Sequence, residues 1–360
     1  MTEIFILKAI RRNPVMQVIV TLLIGSGGAA VAHVAGLPAA ALIGSALAVS
    51  AVSFCRLPTA IPTWLRNMAF AAIGCSLGSG VSRDFLELAV KWPLSLCSLV
   101  LTMGCMLFAC SRLLTAFFGQ SRETAILAAS PGALSYSLAI AATGVGDARA
   151  IIVIQSIRLL SITTCLPLIL DLLDLQHGNG NGGSGGNITF AWTAGLFLLT
   201  LSAGFLLDKQ KLPAAFLIAG VLISGVLHFM GLVSGRPQPG FLAVGFVVTG
   251  SVIGARFTRI PLADIRRLIG GALAVVIVSS LIAALFALFT ANLLNLPFGQ
   301  VWVSYAPGGV EAMAAMALSL GYDSAYVATH HLFRIILLIF ILPILLKFFR
   351  RTAAKAPSGG

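Results

Sequence analysis

The sequence predicts an all-α polytopic membrane protein made of two inverted repeats, each with five transmembrane helices plus one re-entrant hairpin or broken helix. Three observations carry this prediction: apolar segments of spanning length from end to end, an internal duplication, and a lopsided distribution of positive charge.

The apolar segments come first. Of 360 residues, 58% are hydrophobic and only 9% are charged, against roughly 25% charged in soluble domains. Segments long enough to cross about 30 Å of hydrocarbon fall at 15–35, 38–54, 64–81, 92–118, 150–174, 189–207, 213–233, 240–256, 268–294 and 327–349. Ten spanning helices are expected. The net charge of +12 does not indicate nucleic acid, because the basic residues lie in small groups between apolar segments with no soluble domain to collect them. Lys8, Arg11 and Arg12 precede the first apolar run, and Ala30 with Ala32 resembles a signal-peptidase site. An uncleaved first helix is the reading here, since it has a counterpart later in the chain. The six cysteines occur without a CxxC motif, in or beside apolar runs of the first half, where packing is their expected use.

The duplication is direct. LPAAALIGSAL at 37–47 returns as LPAAFLIAGVL at 212–222. Further along, Gly74, Gly78, Pro131, Gly132, Asp147, Arg158 and Pro167 fall, 176 positions on, at Gly250, Gly254, Pro307, Gly308, Asp323, Arg334 and Pro343. The first repeat is therefore placed at 1–176, a flexible Gly/Asn-rich linker at 177–188, the second repeat at 189–349 and a cytoplasmic tail at 350–360.

Charge then sets the topology. If the Pro-Gly segments at 124–146 and 299–322 cross the membrane, the loops divide Lys and Arg 12 inside to 9 outside; if they are hairpins, the division is 18 to 3. The excess of cytoplasmic Lys and Arg typical of membrane proteins favours hairpins. Five spans per half is an odd number, so the halves are inverted and both termini are cytoplasmic. Their tips, SPGALS and APGGVE, should meet near the midplane, since broken elements in matching positions of inverted halves mark a transporter's substrate site.

Candidate site residues follow from that meeting point. Between 268 and 322 the only formally charged residue is Glu311. An acid at that depth couples to a proton or cation, or else pairs structurally with arginine or backbone amides. Its counterpart is Ser135. Arg158 and Arg334 each stand alone in an apolar helix; a guanidinium there grips an anionic substrate, or ties down the carbonyls of its own hairpin. Ser130, Gly132, Gly308, Gly309 and His331 complete the expected substrate and ion site, with Pro131 and Pro307 breaking the tips. Asp147 and Asp323 sit where helix caps are expected. His330 and His331 point about 100° apart on a helix, and no ligand spacing supports a metal.

The segments SPGALSYSLAIAATGVGDARAIIVIQSIRLLSI and APGGVEAMAAMALSLGYDSAYVATHHLFRIILL resemble the AbrB family of bacterial inner-membrane proteins over nearly the whole chain. That name is shared with an unrelated soluble DNA-binding regulator, and members also carry ammonia monooxygenase labels. Neither activity has residues to support it here. More distantly, the chain is similar to the inverted-repeat cation:proton antiporter and anion transporter superfamily. That resemblance implies a mobile unit of hairpins and adjoining helices, moving against a scaffold around 15–54 and 189–233 through which two copies can pair. The expected function is secondary transport of a small anionic organic solute, coupled to H⁺ or Na⁺, in the bacterial inner membrane, without enzymatic activity, cofactor or nucleic-acid partner. The alternative is a membrane-embedded regulator of gene expression that senses a ligand without moving it.

Overall fold

The computed structural model describes residues 13–80, 92–132, 134–175, 186–212 and 214–354. The basic N-terminal residues, the segment with Arg83 and Lys91, most of the expected linker and residues 355–360 lie outside that set.

Among the described residues, ten helices of at least 15 residues occupy the ten expected apolar segments. They are α1 (Pro14–Val34), α2 (Ala40–Phe54), α3 (Thr63–Gly78), α4 (Trp92–Phe118), α7 (Ala148–Leu172), α8 (Phe190–Lys209), α9 (Ala215–Phe229), α10 (Pro239–Ala255), α11 (Leu262–Leu294) and α14 (Ser324–Ala354). Four short helices lie among them: α5 (Arg122–Ala129), α6 (Leu134–Ala141), α12 (Phe298–Tyr305) and α13 (Val310–Ser319). Seven of the long helices are apolar and long enough to cross a membrane by themselves, and the chain is a multi-pass membrane protein. Helices α2, α3 and α9 fall short of the usual length at 15 or 16 residues. For α2 and α9 the cause is local. Each begins only after a left-handed alanine, Ala39 (φ 49°) or Ala214 (φ 53°), in the repeated LPAA turn.

Helix limits recur with the spacing seen in the sequence. Starts at 122, 134 and 148 return at 298, 310 and 324, and the ends at 118 and 129 return at 294 and 305. Packing repeats it too: α3 lies against α9 as α2 lies against α10. In both crossings a glycine lets the backbones touch. A Cβ on Gly74 would overlap the Leu217 carbonyl, and one on Gly250 the Leu42 carbonyl.

The Pro-Gly segments turn back on themselves. The Thr124 hydroxyl, at the start of α5, accepts from the Asp147 amide beyond α6 (2.9 Å). In the second segment, Gln300 Oε1 accepts from the Asp323 amide (3.1 Å). Each arm is at most about half of a spanning length, since eight to ten residues rise roughly 12 to 15 Å against about 30 Å. The two hairpin bases lie at opposite ends of α7. Asp147 caps its first turn, accepting from the Arg149 (2.8 Å) and Ala150 (3.3 Å) amides, whereas the Tyr322 hydroxyl donates to the Leu175 carbonyl just past its last turn. Twenty-five residues separate those points by roughly 37 Å of helix.

Candidate functional site

Both hairpins break at the predicted tips. Ser130 ends α5 in extended backbone and Ala306 does the same for α12, so the chain exposes carbonyls that no helix can satisfy. Arginines from the following long helices satisfy them. Arg158 donates to the carbonyls of Ala128 (3.2 Å), Ala129 (3.0 Å) and Ser130 (2.8 Å). Arg334 donates to those of Ala306 (2.7 Å) and Gly308 (2.5 Å). Both side chains are buried, and neither Nε has a partner among the described residues.

One turn earlier, the repeat substitutes one polar group for another. Gln155 Nε2 donates to the Leu127 carbonyl (2.8 Å) and reaches Ser130 and Ser137 Oγ, both at 3.4 Å. At the matching place His331 Nε2 donates to the Val303 carbonyl (3.0 Å), which assigns the proton to that nitrogen and leaves buried Nδ1 as an acceptor with no described partner. Ser130 Oγ closes the first tip on Ser137 Oγ (2.9 Å).

The tips meet. Gly132 takes φ +78°, and a Cβ there would lie 2.8 Å from Arg334 Nη2 and 3.3 Å from the Gly308 carbonyl. Pro131, Pro307 and Gly308 are buried, whereas Gly132 and Gly309 are half-buried. The Ser135 side chain lies outside the described residues. Glu311 is half-buried in the first turn of α13, its carboxylate approaching the Cβ position of Gly309 (3.6 Å). It interacts electrostatically with Arg256, which also feels Arg66. Arg256 is not visible as a partner in the sequence, because it lies far from Glu311 along the chain in a segment rich in basic residues.

Asp323 accepts from the Ala325 (3.0 Å) and Tyr326 (3.1 Å) amides, as Asp147 does in its own half. Burial pushes the Asp323 carboxyl above the usual carboxylate range, and these two amides pull the other way. His330 points away from the tips. Its Nε2 meets Ser95 Oγ (2.8 Å), to which the Tyr326 hydroxyl also bonds, and the Tyr305 hydroxyl donates to the Ser95 carbonyl (2.7 Å). Among the described residues, no three His, Cys, Asp or Glu side chains are placed to hold a metal.

A cavity of about 680 Å³ lies away from the tips. It opens at the base of the first hairpin, between the end of α4, the start of α7 and the start of α11, with Asp147 and Arg267 on its wall.

Comparison with known proteins gives three matches. The family described as "Transition state regulatory protein AbrB" matches twice, over residues 6–109 and 41–350. "Putative regulator AbrB" of Escherichia coli (strain K12) is 23% identical over 327 residues, 89% of this chain and 92% of that protein. "Uncharacterized protein YhjN" of Bacillus subtilis (strain 168) is 26% identical over 240 residues, covering 61% of this chain and 62% of that relative's length.

Proposed function

The chain belongs to the AbrB family, and on that premise we propose that it is a secondary transporter of a small anionic organic solute, working by alternating access and coupled to H⁺ or Na⁺. One observation carries the reading. Two buried guanidinium groups lie where the hairpin tips meet, Arg158 on the Ser130 carbonyl and Arg334 against Gly132 of the same tip, each with an Nε that has no partner among the described residues, where no carboxylate is bonded to either. Buried like charges are costly unless compensated, and an anion bridging them supplies that compensation. Ser130, Gly132, Gly308, Gly309 and His331 Nδ1 surround the same place, and Ser135 is the counterpart of the acid. Glu311, balanced by Arg256, is the coupling group.

In this reading each half has five spans and one re-entrant hairpin, with the halves inverted. Hairpins that start from opposite ends of α7 and meet at their tips support it. The termini are cytoplasmic, the membrane is the bacterial inner membrane, and a dimer forms through the α1–α2 and α8–α9 regions. The hairpins with α7 and α14 are the moving unit, and no chemical step or cofactor is involved. The name of the Escherichia coli relative, a regulator, favours a second reading, a ligand sensor that regulates gene expression without flux.

A thermal-stability screen of the purified protein and its Glu311→Gln variant against organic anions, with pH and sodium varied, tests the proposal. The expected result is stabilisation by an anion, with an ion dependence that the variant lacks. No shift in either folded protein would sink it, and binding without flux in liposomes would select the sensor.

A further inference from the structure

The cavity at the base of the first hairpin has a counterpart position in the second half, and comparing the two assigns it a role. Among the residues lining the cavity are Ile154, Leu268 and Gly271. Moved by the repeat spacing, these positions become His330, Trp92 and Ser95, and Ala150, one turn before Ile154, becomes Tyr326. In the second half these larger side chains fill the volume. The Trp92 ring packs edge-on to Tyr326 (6.3 Å) and His330 (6.5 Å), while Ser95 bonds both Tyr326 and His330. The open volume is therefore bounded by aliphatic residues and a glycine, in a place where the matching positions around the second hairpin carry an aromatic and hydroxyl cluster.

The walls of the cavity say what it accepts. Leu114, Phe118, Ile154 and Leu268 form an apolar side, with Gln120, Ser121 and Thr124 on the other. Two charges face in. Asp147 spends one oxygen on the helix cap and meets Arg267 with the other at a loose 3.7 Å. The Arg267 side chain is 64% exposed and keeps most of its donors unused.

We infer that this cavity is the open access vestibule of the protein, that it takes small carboxylates with an apolar body through Arg267, and that the Ser95, Tyr326 and His330 cluster is the closed form of the same vestibule on the opposite side. The inference rests on the transporter reading and adds to it a second solute site, at the hairpin base.

The test uses Gln120→Cys, on the cavity wall, treated with an anionic thiol reagent, sulfonatoethyl methanethiosulfonate, or its cationic trimethylammonium analogue. The adduct at residue 120 is followed by peptide mass spectrometry. With every rate expressed relative to that of the same reagent with a free small thiol, which removes the intrinsic advantage of the cationic reagent toward a thiolate, the anionic reagent should react roughly tenfold faster than the cationic one, the low end of what a focusing cleft gives. The preference should vanish on adding Arg267→Gln and persist with Arg267→Lys, and excess benzoate should slow the anionic reaction. Equal rates for the two reagents, or a ratio unmoved by Arg267→Gln, overturns the vestibule; no slowing by benzoate overturns the ligand class. Labelling does not depend on flux or on Glu311. A chain that labels as expected yet binds no anion at the tips thus loses the transporter reading while its vestibule stands.

Discussion

The two hairpins share their backbone bonding and differ in what fills the space around them. Each returns to its base through a side-chain acceptor on the first arm, Thr124 or Gln300, and each is followed by an aspartate cap and an arginine that holds its tip. The first tip is closed by hydroxyls and a glutamine, with a cavity beneath its base. The second has a histidine with one free nitrogen, an acid in the next turn, and an aromatic cluster in place of the cavity. What recurs is the part that solves a problem common to both halves, unsatisfied carbonyls at membrane depth. What differs is free to carry a direction, which two equivalent halves could not do.

The largest effect should come from removing a tip arginine. Arg158→Ala strands three buried carbonyls, whereas Arg334→Ala strands that of Gly308 and leaves that of Ala306 with the Gly308 amide alone, so each should cost on the order of 3–5 kcal/mol, Arg158 the more. Melting of the detergent-purified variants checks this. A small loss in both would mean that the arginines serve a ligand and not the tips, which would remove the shared scaffold from the comparison.

Next in size is the contact between tips. Gly132→Ala places a Cβ against Arg334 at a positive φ, with an expected loss of roughly 1–3 kcal/mol. Gly309→Ala, at φ −82° and facing only the movable ends of Leu159 and Glu311, should cost well under that. Equal melting temperatures for the two would show that the tips do not touch as described.

Much of this scaffold was legible in the chain. Pro131, Pro307, Asp147 and Asp323 mark breaks and caps through local backbone chemistry, and a duplication displays such chemistry twice. The arginines illustrate the limit. Nothing in the sequence near Arg158 or Arg334 distinguishes bonding to a hairpin carbonyl from bonding to a solute, because the choice depends on side-chain reach across a fold. Arg256 was missed as a neighbour of Glu311 for the same reason. The cavity was legible only as a difference, Ile154 against His330 and Gly271 against Ser95, and its meaning required knowing that these positions share one volume. The shortness of α2 and α9 was hidden because an apolar count runs through the LPAA turn without registering the left-handed alanine.

The aromatic cluster offers a smaller perturbation. His330→Ile gives the second half the residue of the first and leaves Ser95 without one partner. An expected loss of roughly 0.5–1.5 kcal/mol should come with faster hydrogen exchange of the α14 first turn, since the polar cluster no longer holds it. Unchanged exchange would mean that the cluster is ordinary packing and not a closed vestibule.

The smallest difference concerns the two caps, and its sign can be worked out. Asp323 is held above its ordinary value of 3.8 by burial, so the folded protein keeps a proton that the unfolded chain has already released. Its contribution is therefore fully present below the unfolded value and is lost as pH rises through the folded one. Asparagine caps a helix about as well as aspartate but has no charge to bury. Asp323→Asn should thus raise stability at pH 7, by up to about 1 kcal/mol, and the gain should shrink as pH falls toward 4. Asp147, with its side chain 45% exposed, has only the loose Arg267 pair to lose, so Asp147→Asn should lower stability by at most about 1 kcal/mol at pH 7. Melting curves between pH 4 and pH 8 measure both. If the two variants move in the same direction, the bases of the hairpins are equally wet, and the contrast between an open and a closed side of the protein fails.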